Sequence, residues 1–123
     1  MATGRYRSLK VWRMGMDMTK QAYASSKQFP KDELYGLTSQ LWRAAVSVPA
    51  NIAEGHARGS TKEFLRHLSI AQGSLAEVET LLTLAEELGY CRPQELAGIV
   101  DLCGQLGRMI GALRNRLRSR LDR

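Results

Sequence analysis

Helical periodicity is the feature of this sequence that most narrows the fold. Apolar residues recur at alternating steps of three and four, which places them on one face of an α-helix. The clearest stretches are Phe64, Leu68, Ala71, Leu75, Val78, Leu82 and Ala85, then Leu96, Ile99, Cys103, Leu106, Ile110, Leu113 and Leu117. No run has the two-residue period of a strand, and no Asn-Gly or Asp-Gly hairpin turn occurs. The pattern predicts an all-α protein.

Two further periodic stretches lie nearer the N-terminus, and local signals mark the helix ends. Phe29-Pro30 ends the first helix, because the residue before a proline is disfavoured in the α region. Ser60-Thr61-Lys62-Glu63 predicts a capping box for the third helix, Gly89 its left-handed stop, and Pro93 the first turn of the fourth. The predicted helices span about residues 8–28, 36–57, 61–88 and 93–119. Their short connections predict one domain over residues 1–123, an up-and-down antiparallel four-helix bundle.

Pro49 lies inside the second predicted helix, where it removes one backbone donor and clashes with the preceding turn. We expect a kink near Ser47 to Pro49, because the apolar pattern continues through Ile52 and Ala53. The alternative is two shorter helices, with Pro49 at the first position of the second.

The third and fourth helices carry more apolar residues than one bundle core requires. Beside the main stripes lie Leu65, Ile70, Leu81, Leu84, Leu88, Val100, Leu102 and Met109. Gly104, Gly107 and Gly111 form a strip that another helix can approach closely, which would offset the roughly 1 kcal/mol that each helical glycine costs. The strip indicates either packing of helix 1 within the monomer or a subunit interface. The widened apolar faces favour self-association, since monomers rarely expose large apolar patches.

The basic residues predict a polyanionic partner. The net charge is +6, and one basic group is formed by Arg5, Arg7, Lys10 and Arg13. A second group crowds the C-terminal end, at Arg108, Arg114, Arg116, Arg118, Arg120 and Arg123. We predict RNA or DNA binding through Arg108, Arg114, Arg116, Arg118 and Arg120, which would contact phosphates without reading bases. The alternative is a homo-oligomeric scaffold for a partner protein, on which these arginines are only a solvated tail.

No arrangement of residues indicates catalysis. A di-metal carboxylate site in a bundle needs Glu-x-x-His on two helices, whereas His56 lies two residues after Glu54 and His67 lies four after Glu63. We expect His67 to be an exposed or partly buried surface residue. The sequence contains no Gly-x-Ser-x-Gly elbow and no phosphate loop that ends in Gly-Lys-Ser/Thr. These patterns predict a protein that is not an enzyme and that holds no metal or cofactor.

Several polar residues lie among small or apolar neighbours on the second and third helices. They are Gln40, Asn51, Glu54, Gln72, Ser74 and Glu77. Such residues are usually solvated at the surface. The alternative is a buried or interfacial network in which every member finds a partner, and there Arg43 could pair with Glu54 or Glu77.

The stretch Met1 to Leu9 is polar and basic, without the apolar segment of a secretory signal. No uninterrupted run of about 18 apolar residues is present. We therefore expect a cytoplasmic protein with no membrane partner. In that compartment Cys91 and Cys103 are expected to stay free thiols, with Cys103 in the core.

Five segments resemble one known protein family. The longest is Gly36-Leu37-Thr38-Ser39-Gln40-Leu41-Trp42-Arg43-Ala44-Ala45-Val46-Ser47-Val48-Pro49-Ala50-Asn51-Ile52-Ala53-Glu54-Gly55. The others are Leu9–Trp12, Phe29–Gly36, Lys62–Leu65 and Gly73–Glu79. Over roughly residues 8 to 115 the chain resembles the four-helix-bundle proteins encoded by intervening sequences in bacterial 23S ribosomal RNA genes.

The resemblance implies an up-and-down bundle that associates into a ring-like homopentamer, and it implies no established biochemical activity. A more distant branch of the same fold is the accessory protein of diversity-generating retroelements, which binds nucleic acid and a reverse transcriptase. The motifs of this chain follow the intervening-sequence pattern, so partnership with a reverse transcriptase is only weakly implied.

Overall fold

Four long helices make up most of the chain in a computed structural model that describes residues 4–122. Helix α1 spans Lys10–Ser26, α2 Ser39–Ala57, α3 Thr61–Glu87 and α4 Pro93–Leu121. Short connections make each helix antiparallel to the one before, and α4 closes the bundle against α1. The described residues contain no β-strand. The predicted all-α four-helix bundle is confirmed.

The core lies between the four helices, because each of them turns one apolar stripe inward. Its most completely buried side chains include Met18, Leu41, Ile52, Leu68, Leu82, Leu96, Leu106 and Ile110. Cys103 belongs to this core, as predicted, and it forms no disulfide with Cys91. Both thiols are free and buried.

The helix ends follow the sequence signals with two differences: α2 begins at Ser39 and not near Gly36, where the backbone is not helical, and one capping box is incomplete. Gly89 ends α3 with a φ of +80°, and Pro93 is the first residue of α4. Ser60 Oγ accepts a hydrogen bond from the Glu63 backbone N–H at 3.1 Å. The Glu63 carboxylate, however, accepts from Arg66 Nε at 3.2 Å, so only half of the predicted capping box forms.

Helix α2 runs unbroken across Pro49. The alternative of two separate helices is therefore wrong, and the kink predicted near Ser47 to Pro49 is not confirmed. Proline cannot donate to the carbonyl four residues earlier, which belongs to Ala45. The single hydrogen of the Thr19 hydroxyl is shared between that carbonyl, at 3.0 Å, and the Gly15 carbonyl of α1, at 2.8 Å. The neighbouring helix thus supplies a donor where Pro49 has none.

Gly15 allows α1 and α2 to come close enough for the hydrogen bond between Thr19 and the Ala45 carbonyl. A Cβ at this position would lie 3.3 Å from Pro49 Cβ, closer than most side-chain contacts allow. The glycine lets the two backbones come together, and Thr19 lies one turn further along α1. Gly15, Thr19 and Pro49 therefore act as one unit that fixes the register of α1 on α2.

One of the described helices, Pro93–Leu121, is long and apolar enough to cross a membrane when only length and composition are considered. The core helix of a bundle passes the same test. Helix α4 turns Leu96, Ile99, Cys103, Leu106, Ile110 and Leu117 into the core.

Replacing Thr19 with valine is expected to destabilise the fold by about 1–3 kcal/mol, because it leaves the Ala45 carbonyl without a donor. The free energy of unfolding in urea measures the effect. Thr83→Val is the matched control, since the exposed Thr83 hydroxyl donates only to the carbonyl of Glu79 in its own helix. It should change stability by no more than about 0.5 kcal/mol.

A double-mutant cycle isolates the role of Pro49. In a Pro49→Ala background the new backbone N–H at position 49 donates to the Ala45 carbonyl, so Thr19→Val should cost less there than in the wild type. An equal cost in both backgrounds would show that Thr19 does not compensate for the proline.

Candidate nucleic-acid interface

The structure brings the two basic segments of the sequence together at one end of the bundle. Arg5, in a short 3-10 turn before α1, and Arg120, near the end of α4, line one groove of ≈ 490 Å³. His56 in the last turn of α2 also lines the groove, with Gly59 and Ser60 of the connection to α3. We call this end of the molecule the basic end.

A second, smaller groove on the basic end pairs the same two segments. Lys10 and Arg116 both line it, over an apolar floor that includes Val11, Met109 and Leu113. Arg116 and Arg120 lie one turn apart on α4, so they share the face of the helix that is turned toward the N-terminal segment.

The other arginines predicted to bind nucleic acid do not line these two grooves. Arg114 is half-buried and donates to Gln72 Oε1 of α3, which holds it against the bundle. Arg118 is exposed on the same side of α4 as Arg114. Arg108 is exposed two turns before Arg116, with a guanidinium nitrogen 3.5 Å from where a Cβ on Gly104 would lie. Arg123 falls outside the described residues.

The partners of Arg116 and Arg120 were not identified from the sequence. The sequence shows both basic groups, but it does not by itself show that they are adjacent in the folded protein. The signal was available, because an even number of antiparallel helices returns the end of the chain to the end of the bundle where it began. Arg5 and Lys10 therefore belong to the candidate interface.

A polar network joins α2 to α3, and of the six polar residues named from the sequence it contains Asn51 and Ser74. Asn51 Nδ2 donates to the carbonyl and the hydroxyl of Ser47, at 2.8 and 2.9 Å. Its Oδ1 is left to accept from His67 Nδ1 at 3.0 Å. Ser47 and Ser74 share a further hydrogen bond of 2.8 Å. The Asn51–His67 and Ser47–Ser74 hydrogen bonds join α2 to α3, and the two Asn51–Ser47 bonds within α2 hold the Asn51 side chain in position.

His67 is the member of this network that the sequence interpretation placed wrongly. Its side chain is only 4% exposed, so it is not a surface residue. It lies three residues after Phe64 and beside Leu68, on the buried stripe of α3. Gly55 makes room for it, because a Cβ on Gly55 would lie 2.5 Å from His67 Cβ. The Asn51-to-Gly55 segment of the family motif therefore has a packing role.

Glu54 lies beside the network at the surface without a hydrogen bond to it, and His67 Nε2 has no hydrogen-bond partner among the described residues. Arg58 donates to Glu54 Oε2 at 2.7 Å, and this hydrogen bond holds the pKa of the carboxyl below its usual value. The same oxygen lies 3.7 Å from His67 Nε2. The predicted pairing of Arg43 with Glu54 or Glu77 is wrong, because Arg58 occupies Glu54. Arg43 is exposed and contacts only Ser39, at 3.5 Å, and Glu77 is also exposed.

The glycine strip of α4 lies against α3. A Cβ on Gly107 would lie 3.5 Å from Leu75, and one on Gly111 would lie 3.6 Å from Gln72. All three glycines, Gly104 included, are half-buried. Of the two alternatives left open for this strip, packing against helix 1 is therefore wrong, because side chains of α3 lie against Gly107 and Gly111. A subunit interface along this strip stays a prediction.

The buried thiols have the properties of core residues. Burial raises the pKa of Cys103 to about 12 and also raises the pKa of Cys91. Both stay protonated at neutral pH, and a protonated thiol is a poor nucleophile. Within residues 4–122, no three His, Cys, Asp or Glu side chains lie close enough together to hold a metal ion.

The fold and the sequence define this protein as a small four-helix bundle with one basic end. A family model described as 23S rRNA-intervening sequence protein matches residues 7–112. The chain belongs to that family, and the resemblance seen in the sequence is confirmed. A search of curated proteins finds no match. The more distant likeness to the retroelement accessory protein stays a prediction.

Replacing Asn51 with alanine is expected to destabilise the protein by about 1–3 kcal/mol, because it leaves the buried Nδ1 of His67 without a partner. Chemical denaturation measures the loss. Gln40→Ala on the same helix is the control, since Gln40 is exposed, and it should stay within about 0.5 kcal/mol of wild type. Equal stability of Asn51→Ala and wild type would mean that the network does not hold α2 on α3.

Proposed function

We propose that this protein is a non-catalytic, self-associating bundle that binds RNA or DNA through its basic end. One observation supports the proposal above all: Arg5 and Arg120, from opposite ends of the chain, line a single groove. Lys10 and Arg116 repeat the arrangement beside it. Such a surface neutralises phosphates, and the release of counterions makes the affinity depend on salt.

The N-terminal turn that carries Arg5 is held in place by aromatic contacts. The rings of Tyr6 and Trp12 meet edge to face, with centroids 5.3 Å apart. The guanidinium of Arg7 lies 5.6 Å from the Trp12 ring, and that of Arg13 lies 5.3 Å from it. These contacts favour a preorganised basic surface, which loses less entropy when it binds.

Binding is expected to fall when Arg116 and Arg120 are both replaced with alanine. The plot of log K against log salt should become shallower by about 0.9 for each phosphate on duplex DNA that the variant no longer neutralises. Fluorescence anisotropy with labelled duplex DNA and RNA, over a range of KCl concentrations, measures both affinity and slope. Point variants are preferable to truncation at residue 114, because Leu117 is a core residue.

The control is Arg43→Ala combined with Arg92→Ala, two exposed arginines far from the basic end. This variant has the same net charge, so a purely global effect of charge would weaken binding by the same amount. Equal losses of affinity in the two variants would exclude a specific basic end. Failure of the wild type to bind either nucleic acid at low salt would refute the proposal and favour the protein-interaction scaffold.

Self-association is supported by large apolar side chains that stay exposed on α3 and α4. Leu84 and Val100 are 43% and 49% exposed, and Ile70 and Leu88 are similarly open. Among the additional apolar residues that the sequence analysis found beside the main stripes, Leu81 is in the core, and Leu65, Leu102 and Met109 pack against the core. Exposed apolar surface of this kind is typical of contacts between subunits. Family membership favours a homopentamer.

Light scattering coupled to size exclusion is expected to give five times the 13.7 kDa chain mass. Leu84→Glu should shift the population toward smaller species, because a buried carboxylate without a partner weakens an interface. The matched control is Leu121→Glu, a leucine of similar exposure at the end of α4. A monomeric wild type at micromolar concentration would contradict self-association.

A further inference from the structure

An apolar groove lies at the opposite end of the molecule from the basic end, between the end of α1 and the start of α2. It has a volume of ≈ 470 Å³ and is lined mainly by Tyr23, Lys27, Phe29, Pro30, Leu34 and Trp42. A second hollow of ≈ 430 Å³ lies beside it, lined by Arg43 and Val46. Tyr23 and Trp42 line both, so the two hollows form one continuous surface, which we call the aromatic groove.

Two stacked aromatic rings form the floor of the aromatic groove. The rings of Tyr23 and Trp42 are stacked, with centroids 4.9 Å apart and planes inclined by 4°. Trp42 Nε1 donates to Ser26 Oγ at 2.9 Å, and the Ser26 hydroxyl donates to the Tyr23 carbonyl at 2.8 Å. The indole and the serine are therefore satisfied internally, and the floor presents ring surface.

The walls of the groove are held open by the connection between α1 and α2. The Glu33 carboxylate accepts from the Tyr90 hydroxyl at 2.7 Å and from the Leu37 backbone N–H at 3.1 Å. These bonds tie the connection to the loop between α3 and α4. Leu34 and Tyr23 nevertheless stay 42% exposed. A preformed apolar site of this kind binds a side chain without first having to fold.

The rim of the groove is positively charged. Lys27, Lys31 and Arg43 line its edges, and within residues 4–122 none of the three forms an ion pair. The acidic residues nearby, Asp32, Glu33 and Glu95, do not line the groove. Glu33 is engaged with Tyr90, and Asp32 lies close enough to Tyr90 to contribute to the rise in the pKa of its hydroxyl.

We propose that the aromatic groove binds a peptide segment of a partner protein, with a leucine or phenylalanine anchor flanked by glutamates or aspartates. The anchor stacks on Tyr23 and Trp42, and the carboxylates pair with Lys27, Lys31 and Arg43. A nucleobase is a poorer occupant, because Trp42 Nε1 and the Ser26 hydroxyl are engaged within the protein and do not read its edges. The inference does not rest on nucleic-acid binding, since the groove and the basic end lie at opposite ends of the bundle.

The test measures peptide binding by the fluorescence of Trp42. In a Trp12→Phe background all tryptophan emission comes from Trp42. The probe is a blocked ten-residue peptide of glutamates and leucines with one central phenylalanine. We expect a saturable change in emission. Leu34→Ser should weaken binding roughly tenfold, because it removes an apolar wall.

Charge reversal provides the second, independent variant. Lys27→Glu combined with Lys31→Glu changes only surface residues and leaves the core intact. It should weaken peptide binding several-fold at low salt, and its difference from the wild type should shrink as the salt concentration rises. Lys62→Glu combined with Lys10→Glu, at the basic end, is the matched control and should leave peptide affinity unchanged.

Four results would overturn the proposal. One is no change in emission up to about 1 mM peptide, and another is equal affinity for a peptide with lysines in place of the glutamates. A third is a larger response to a uridine oligonucleotide, which would make the groove a base-stacking surface. The last is an emission change that depends on protein concentration in the absence of peptide and that Leu34→Ser abolishes. This result would mean that the groove binds a second copy of the chain.

Discussion

The structure depends most directly on how α1 compensates for Pro49. The proline leaves the Ala45 carbonyl without its helical donor, and Thr19 supplies one across the seam. That bond, with the close approach at Gly15, sets where α1 lies along α2. Tyr23 follows Thr19 by one turn, and Trp42 precedes Ala45 by three residues, so the same register brings the two rings into a stack. The missing backbone donor at Pro49 therefore influences where the two rings of the aromatic groove lie.

The sequence was sufficient for the fold because the helical period is long and uninterrupted. The ends of α3 and α4 followed from Ser60, Gly89 and Pro93, whose backbone preferences act locally. The effect of Pro49 was not predictable in the same way, because it depends on a hydroxyl of another helix. Local rules describe what a residue does to its own helix, and they do not say what a neighbouring helix supplies.

The candidate sites were predictable only in part, for a similar reason. The polarity of Asn51 and Glu54 indicated a network, but its central residue, His67, resembles a surface histidine in the sequence because Arg66 precedes it. Its burial depends on Gly55 in a different helix. Likewise, Arg114 and Arg116 are equally basic in the sequence, yet one is held by Gln72 and the other lies open beside Lys10. Tertiary packing decides which charges are free.

The separation of charge along the bundle has a consequence for kinetics. Arg5, Lys10, Arg116 and Arg120 lie at one end. At the other end Glu86, Glu87 and Glu95 offset the charges of Lys27, Lys31 and Arg92, so that the excess of positive charge lies at the basic end. The molecule therefore has an electric dipole along its long axis, and the field of a charged neighbour turns it before contact. If the basic end binds a polyanion, as proposed, most collisions begin in a productive orientation, and the rate of encounter falls with ionic strength even where the final contacts are unchanged. The position of its charges selects the direction of approach while the two molecules are still separated by water.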